Sequence, residues 1–205
     1  MRRIAVAFVL AICGALSAGS FQPIRAQDLD GPVPPQGAVL YEEDKTSTGL
    51  RFDGQVAWRT EPDGPLGELS IQGSVAIPDR QVALTLTLRR NHDSPDGAGQ
   101  LVEIVFSLPP GYHGGGVRTV AGIVMRSDPQ TGKGLIGRAE KTGDGLFRVV
   151  LSGVAGEQAT NLQLLRDLPL FHIPIIYADG SRAVVALSKG ATGEDVFARA
   201  MATWN

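Results

Sequence analysis

Cysteine is almost missing from this chain of 205 residues: its single copy is Cys13. Cys13 lies inside an apolar stretch and follows Ile12, where a lipoprotein signal requires a small residue, so lipidation is not expected. Beyond that stretch there is no thiol to form a disulfide, act as a nucleophile or ligate a metal. Histidine is also sparse, with only His92, His113 and His172, and aromatic residues make up 6% of the chain. No basic patch interleaved with aromatics occurs, which argues against a nucleic-acid partner. The apolar run 4–16 falls well short of the ~20 residues that span a bilayer as a helix.

What that run does fit is an export signal. Arg2 and Arg3 precede it, and Ser17, Ala18, Gly19 and Ser20 follow it. A positive start, a short apolar centre and small residues at the exit make up a secretory signal peptide, assigned to 1–26 with cleavage after residue 19 or 26. Retention as a membrane anchor is the alternative, and both flanks and length count against it. No stable membrane span is therefore expected after cleavage, and the location is periplasmic or secreted. Removing Arg2, Arg3 and Arg25 from the 19 basic residues leaves 16 against 21 acidic, a net charge of −5.

Residues 27–37, "QDLDGPVPPQG", contain five Pro or Gly and are assigned as a linker. The remainder, 38–205, is long enough to bury about 70% of its unfolded surface and is assigned as a single β-rich domain. In "QVALTLTLRRN", Val82, Leu84, Leu86 and Leu88 alternate with Ala83, Thr85, Thr87 and Arg89. Period two with one apolar face predicts a half-buried antiparallel strand. "LVEIVFSLP" and "LSIQGSVAIP" repeat the pattern, while "VAWRTE", "GIVMRS", "LIGRAE" and "LFRVVLS" are weaker strand candidates. "FHIPIIYADGSRAVVAL" predicts a β-hairpin turning at Asp179-Gly180. Pro174 cannot donate a ladder bond and predicts an edge strand or a bulge in its first arm.

Two helices are predicted, a short one near 157–168 and an amphipathic C-terminal one over 193–204. Thr192-Gly193-Glu194-Asp195 resembles a capping box, and Val196, Phe197, Ala200, Met201 and Trp204 recur at helical spacing. The fold class is mainly β: an antiparallel β-sandwich or open barrel closed by that last helix.

Two strings hint at a serine hydrolase. "HGGG" at 113–116 matches an oxyanion loop, and Ser188 in "ALSKG" approximates a nucleophile elbow. That fold needs a histidine after the serine, and none of the 17 residues following Ser188 is one. It also needs alternating strands and helices, whereas successive strands occur here. "SDPQTGKG" lacks the glycine and hydroxyl residue of a phosphate loop and is a turn. His92, Asp93 and Asp96 cluster in "NHDSPDG", but no second histidine stands at ligand spacing, so a polar loop is the expectation and no metal is assigned. His172, among apolar neighbours, is expected to be a hydrogen-bonded strand histidine. Glu42-Glu43-Asp44 is expected to be a solvated acidic run, with cation binding as the alternative.

The order of features is a signal, a linker, alternating strands, "VEIVFSLPPGYHGGGV", a Leu-rich helix, "IPIIYADGSRAVVALSKG" and a terminal helix. Over roughly residues 80–204 it resembles uncharacterised exported alphaproteobacterial proteins and, more distantly, the invasion-associated locus B family. The resemblance implies a small periplasmic β-rich protein linked to the envelope or to host-cell interaction, with no enzymatic mechanism assigned. Many members carry cysteines and the mature chain here has none, and no functional residue carries over.

The expectation is thus an exported, non-enzymatic β-domain with an envelope-associated role, binding a protein or envelope component. No catalytic, cofactor-binding or metal-ligating residue is assigned. A flexible tip carrying Tyr112 and His113 is the expected partner contact. The alternatives are a hydrolase that uses His113 with a carboxylate, and a carrier of a small apolar ligand.

Overall fold

A computed structural model describes residues 36–44, 49–64, 67–93, 99–128 and 130–204. The signal peptide 1–26, its cleavage points and the linker up to residue 35 lie outside the described residues. No helix among the described residues is long and apolar enough to cross a membrane.

The alternating segments form strands β1 (Gly37–Glu42), β2 (Leu50–Asp63), β3 (Glu68–Ile77), β4 (Val82–Arg90), β5 (Gln100–Ser107) and β6 (Val117–Val120). There follow β7 (Val124–Arg126), β8 (Gly132–Gly134), β9 (Gly137–Gly143) and β10 (Leu146–Leu151). Helix α1 (Ala155–Asp167), strands β11 (Leu170–Tyr177) and β12 (Arg182–Ser188), and helix α2 (Gly190–Met201) complete the chain. The strands share one antiparallel sheet in the order β8-β7-β11-β12-β1-β2-β3-β4-β5-β10-β9, with β6 pairing β11 beside β7. The sheet curls into a half-barrel, so the open barrel and not the sandwich describes it. Where its ends approach, Lys141 Nζ of β9 donates to the Val117 carbonyl of β6 at 3.3 Å.

Alternation explains which face is inside. Val82, Leu84, Leu86 and Leu88 of β4, with Val102, Ile104 and Phe106 of β5, are all buried in one continuous core. In β1 every residue is buried, because β2 and β12 flank it on both sides. Trp58 of β2 stands under α2, with its ring 5.3 Å from Phe197 and 5.7 Å from Phe171. Its indole N–H donates to the Ser188 carbonyl at 2.9 Å. Gly73 of β3 is registered opposite Trp58, and a Cβ there would lie 2.6 Å from the ring. Glycine therefore costs strand propensity at this point but makes room for the largest inward side chain.

Three local expectations shift. Pro174 lies in an interior strand, with β12 on one side and β6 and β7 on the other. Its nitrogen faces the break between these two short strands, where its carbonyl accepts Ala121 N–H at 3.0 Å. The missing donor thus falls where no ladder partner stands, and the strand's irregularity appears two residues on, at Ile176/Tyr177. Helix α2 starts at Gly190, ahead of the predicted 193, and Thr192 is not its cap. The Thr192 hydroxyl instead accepts from the Gln36 side-chain amide at 2.6 Å. Trp204 lies beyond the helix, and its indole N–H donates to the Leu69 carbonyl at 2.7 Å. Helix α1 spans 155–167, with Leu165 fully buried and Leu162 and Leu168 packed against the core as their spacing predicts.

Candidate functional site: a buried carboxylate beneath His113

Glu42 ends β1 and shares strand parity with the core residues Ala38 and Leu40, so its carboxylate points inward. Its side chain is only 2% exposed. A carboxylate in that position demands donors, because desolvating it without them is very costly. Three elements supply them. Tyr177, the last residue of β11, donates its hydroxyl to Glu42 Oε1 at 2.7 Å, and Tyr112 donates to the same oxygen. Arg80, which closes the 3-10 turn Pro78–Arg80, places its guanidinium 2.9 Å from Oε2. That guanidinium is held between Phe52 and Tyr112, 4.7 Å and 5.2 Å from their ring centres. His113 Nε2 lies 3.5 Å from Oε2 and 3.0 Å from Arg80, and its ring stacks 4.5 Å from Tyr112.

Burial raises the Tyr112 phenol to about 12, assisted by its bond to the carboxylate. Burial raises Tyr177 further, with the bonds to Tyr112 and Glu42 adding to the shift. Both phenols therefore remain protonated donors to Glu42 across the physiological range.

The glycine-rich loop is tied to this cluster. Ala178 N–H bonds the Gly116 carbonyl at 2.9 Å and Asp179 N–H bonds the Gly114 carbonyl at 3.2 Å. Gly114 rests on the Tyr177 ring, where a Cβ would come within 2.5 Å of the ring carbon. The glycines let the chain lie flat across an aromatic ring and bond the β11–β12 turn, a different use from the flexible tip expected of them. Of the two residues assigned to partner contact, His113 stands at the surface with its side chain 49% exposed, while Tyr112 is partly buried and bonded inward. Glu42, expected in a solvated acidic run, is buried. Its parity with Ala38 and Leu40 was the available signal.

The partners of His113 are Glu42, Arg80, Tyr112 and Tyr177. The geometry unites a histidine with a carboxylate, yet no serine, threonine or cysteine stands among those partners to act as a nucleophile. Ser188 closes β12 at 6% exposure with its carbonyl bound by Trp58. A cleft of about 550 Å³ opens elsewhere, between Gln36, Gly54, Gln55 and Thr192 above Trp58, and none of its lining side chains is ionisable.

The three histidines occupy three different surroundings. His172 is buried in β11, and burial followed by the nearby Arg126 charge lowers it to about 4, so it is neutral. His92, following β4, faces Asp63 at the end of β2 and Glu68 at the start of β3, at 3.4 Å and 3.0 Å. Its sequence neighbour Asp93 is turned away toward Arg89 and Arg148, at 3.6 Å and 3.9 Å, and Asp96 lies outside the described residues. Among the described residues, Asp63, Glu68 and His92 form the group able to hold a metal ion.

Lys189 is a further ionisable group that no sequence signal marked. It is 1% exposed, and its ammonium donates to the Leu165 carbonyl at the end of α1. It lies 4.5 Å from the Phe197 ring centre. Burial lowers it to about 8, against the opposing pull of Glu194 and Asp167.

Fold and site together define a half-open antiparallel β-barrel with an internally neutralised carboxylate cluster at its surface. Comparison with known proteins returns no match: no family model, no curated protein and no solved structure aligns with the chain.

Proposed function

We propose that this is an exported, non-enzymatic β-domain that binds a protein or envelope component of the periplasm or exterior through the surface around His113 and Arg80. One observation carries the reading: Glu42 is held by two tyrosine hydroxyls at Oε1 and paired with a guanidinium at Oε2, while the histidine is exposed and the arginine and Tyr112 are partly so. A carboxylate committed in this way holds recognition groups in place and is poorly suited to accepting a substrate proton. The export signal and the resemblance to exported envelope proteins support the location. A second reading, general-base hydrolysis by His113 oriented by Glu42, draws on their 3.5 Å approach.

The test places a photo-crosslinking residue at Asp79, which is exposed beside Arg80, in cells making the full chain. The expected result is one discrete adduct in the extracytoplasmic fraction, lost in a His113→Ala background. Its absence overturns the binding reading. Turnover of an ester, amide or glycoside panel by purified protein, abolished by His113→Ala, establishes the second reading in its place.

A further inference from the structure

We infer that Asp63, Glu68 and His92 form a binding site for a divalent transition-metal ion of the zinc type. The β2–β3 ladder pairs Asp63 directly with Glu68, so two carboxylates from opposite strands are set side by side by backbone hydrogen bonds. His92, the second residue past the end of β4, adds its ring nitrogen. Nε2 lies 3.0 Å from Glu68 Oε2 and 3.4 Å from Asp63 Oδ2, and one donor atom from each of the three residues fits within 4.8 Å.

Hydrogen bonding alone leaves this arrangement incomplete. Asp63 Oδ2 and Glu68 Oε2 are both shielded from solvent, and neither accepts a hydrogen bond. The Glu68 side chain is 91% buried (9% exposed), and its oxygen is aimed at the histidine. One ring nitrogen carries at most one proton, so the imidazole cannot satisfy two carboxylates through Nε2. Buried polar atoms without partners are uncommon and call for an explanation. A cation satisfies all three donors at once.

The spacing fits an ion of the right size. Ligands bonded at roughly 2.0–2.2 Å stand about 3.3–3.5 Å apart on a tetrahedral ion and about 2.9–3.1 Å apart on an octahedral one, bracketing the two distances seen. One imidazole and two carboxylates, with no thiolate, suit zinc and its neighbours better than copper(I), and the imidazole disfavours calcium and magnesium. Arg90 holds the other oxygen, Glu68 Oε1, at 2.9 Å. This is the outer-sphere contact that fixes a ligating carboxylate and leaves its second oxygen for the metal. Three protein ligands leave one or more coordination positions open on the exposed side of His92, which is 44% exposed. The loop pattern "NHDSPDG" concealed the site because two of its ligands arrive from the preceding hairpin.

The test titrates untagged mature protein with Zn(II), and with Co(II) for its visible bands, at pH 7. One equivalent is expected to bind, with an unfolding midpoint raised by roughly 5–10 °C at 100-fold saturation, reversed by a chelator. His92→Ala, at an exposed position that cannot unfold the core, is expected to abolish binding. Arg90→Gln is expected to weaken it about tenfold, and His113→Ala to leave it unchanged. Absence of one-to-one binding at millimolar metal, or equal binding by His92→Ala, overturns the site. The first of these outcomes identifies the cluster as a metal-free contact between the His92 ring and the two carboxylates.

Discussion

Replacing Lys189 with methionine gives a stability difference that changes with pH in a way only a desolvated amine can produce. In the folded chain the ammonium is held at about 8, whereas in the unfolded chain it titrates near 10.5. Below pH 8 both states carry the proton and the linkage contribution is flat. Between 8 and 10.5 the unfolded state binds more protons than the folded one, so folding stability rises with pH across this window. The separation of about 2.5 pH units corresponds to about 3 kcal/mol in full, with about 1 kcal/mol realised by pH 9 and about 2–3 kcal/mol by pH 10. Tyr112 and Tyr177 act in the opposite direction. Their raised phenols stay neutral in the fold while the unfolded phenols ionise, so stability falls above pH 10. Both tyrosines are shared by wild type and Lys189→Met, so the difference between the two proteins removes them. The measurement is urea unfolding followed by Trp58 and Trp204 fluorescence at pH 7, 8, 9 and 10. Relative to Lys189→Met, the wild type is expected to gain about 2 kcal/mol or more from pH 7 to pH 10. A difference constant over that range refutes a desolvated ammonium. At pH 7 the substitution also removes the donor to the Leu165 carbonyl, a loss of about 1–3 kcal/mol that offsets the relief of burying no charge. For that reason the slope, and not the value at one pH, is the diagnostic.

Tyr177→Phe removes one of two hydroxyls from a buried carboxylate and is expected to cost about 1.5–3 kcal/mol, read as a lower urea midpoint at unchanged slope. His172 predicts an acid-side effect of the same sign as that of Lys189: lowered to about 4 by burial, it contributes stability that is present above its unfolded value of 6.5 and lost as pH falls toward 4. About 1 kcal/mol is gone at pH 5.5, and His172→Gln is expected to flatten that slope in the same urea measurement. The crosslinking and metal-titration outcomes described above complete the set.

Much of the architecture was legible because it is local. Period-two alternation located β3, β4 and β5, and Asp179-Gly180 located the β11–β12 turn, since each signal depends on residues close together in the chain. The C-terminal helix was visible in its apolar stripe. Its start was not, because Thr192 bonds Gln36, 156 residues away, in place of its own backbone. Pro174 suggested an edge because chain chemistry records a missing donor but not the gap between β6 and β7 that accommodates it.

The candidate sites were hidden for the same reason. Sequence alone located most of the strands and one hairpin, marked which faces are apolar, and showed that a hydrolase elbow at Ser188 lacks its later histidine. Tertiary structure decided which polar residues meet. Glu42 came from an apparently solvated run, Arg80 from a short turn, Tyr112 and His113 from a glycine-rich connection and Tyr177 from the end of a strand far along the chain. Likewise His92 met Asp63 and Glu68 and not Asp93 beside it. A hydrogen bond or ion pair acts over about 3 Å of space whatever the separation in sequence. Only the curl of the sheet, which brings β1 against β12 and the β5–β6 connection against the β11–β12 turn, could bring these groups together.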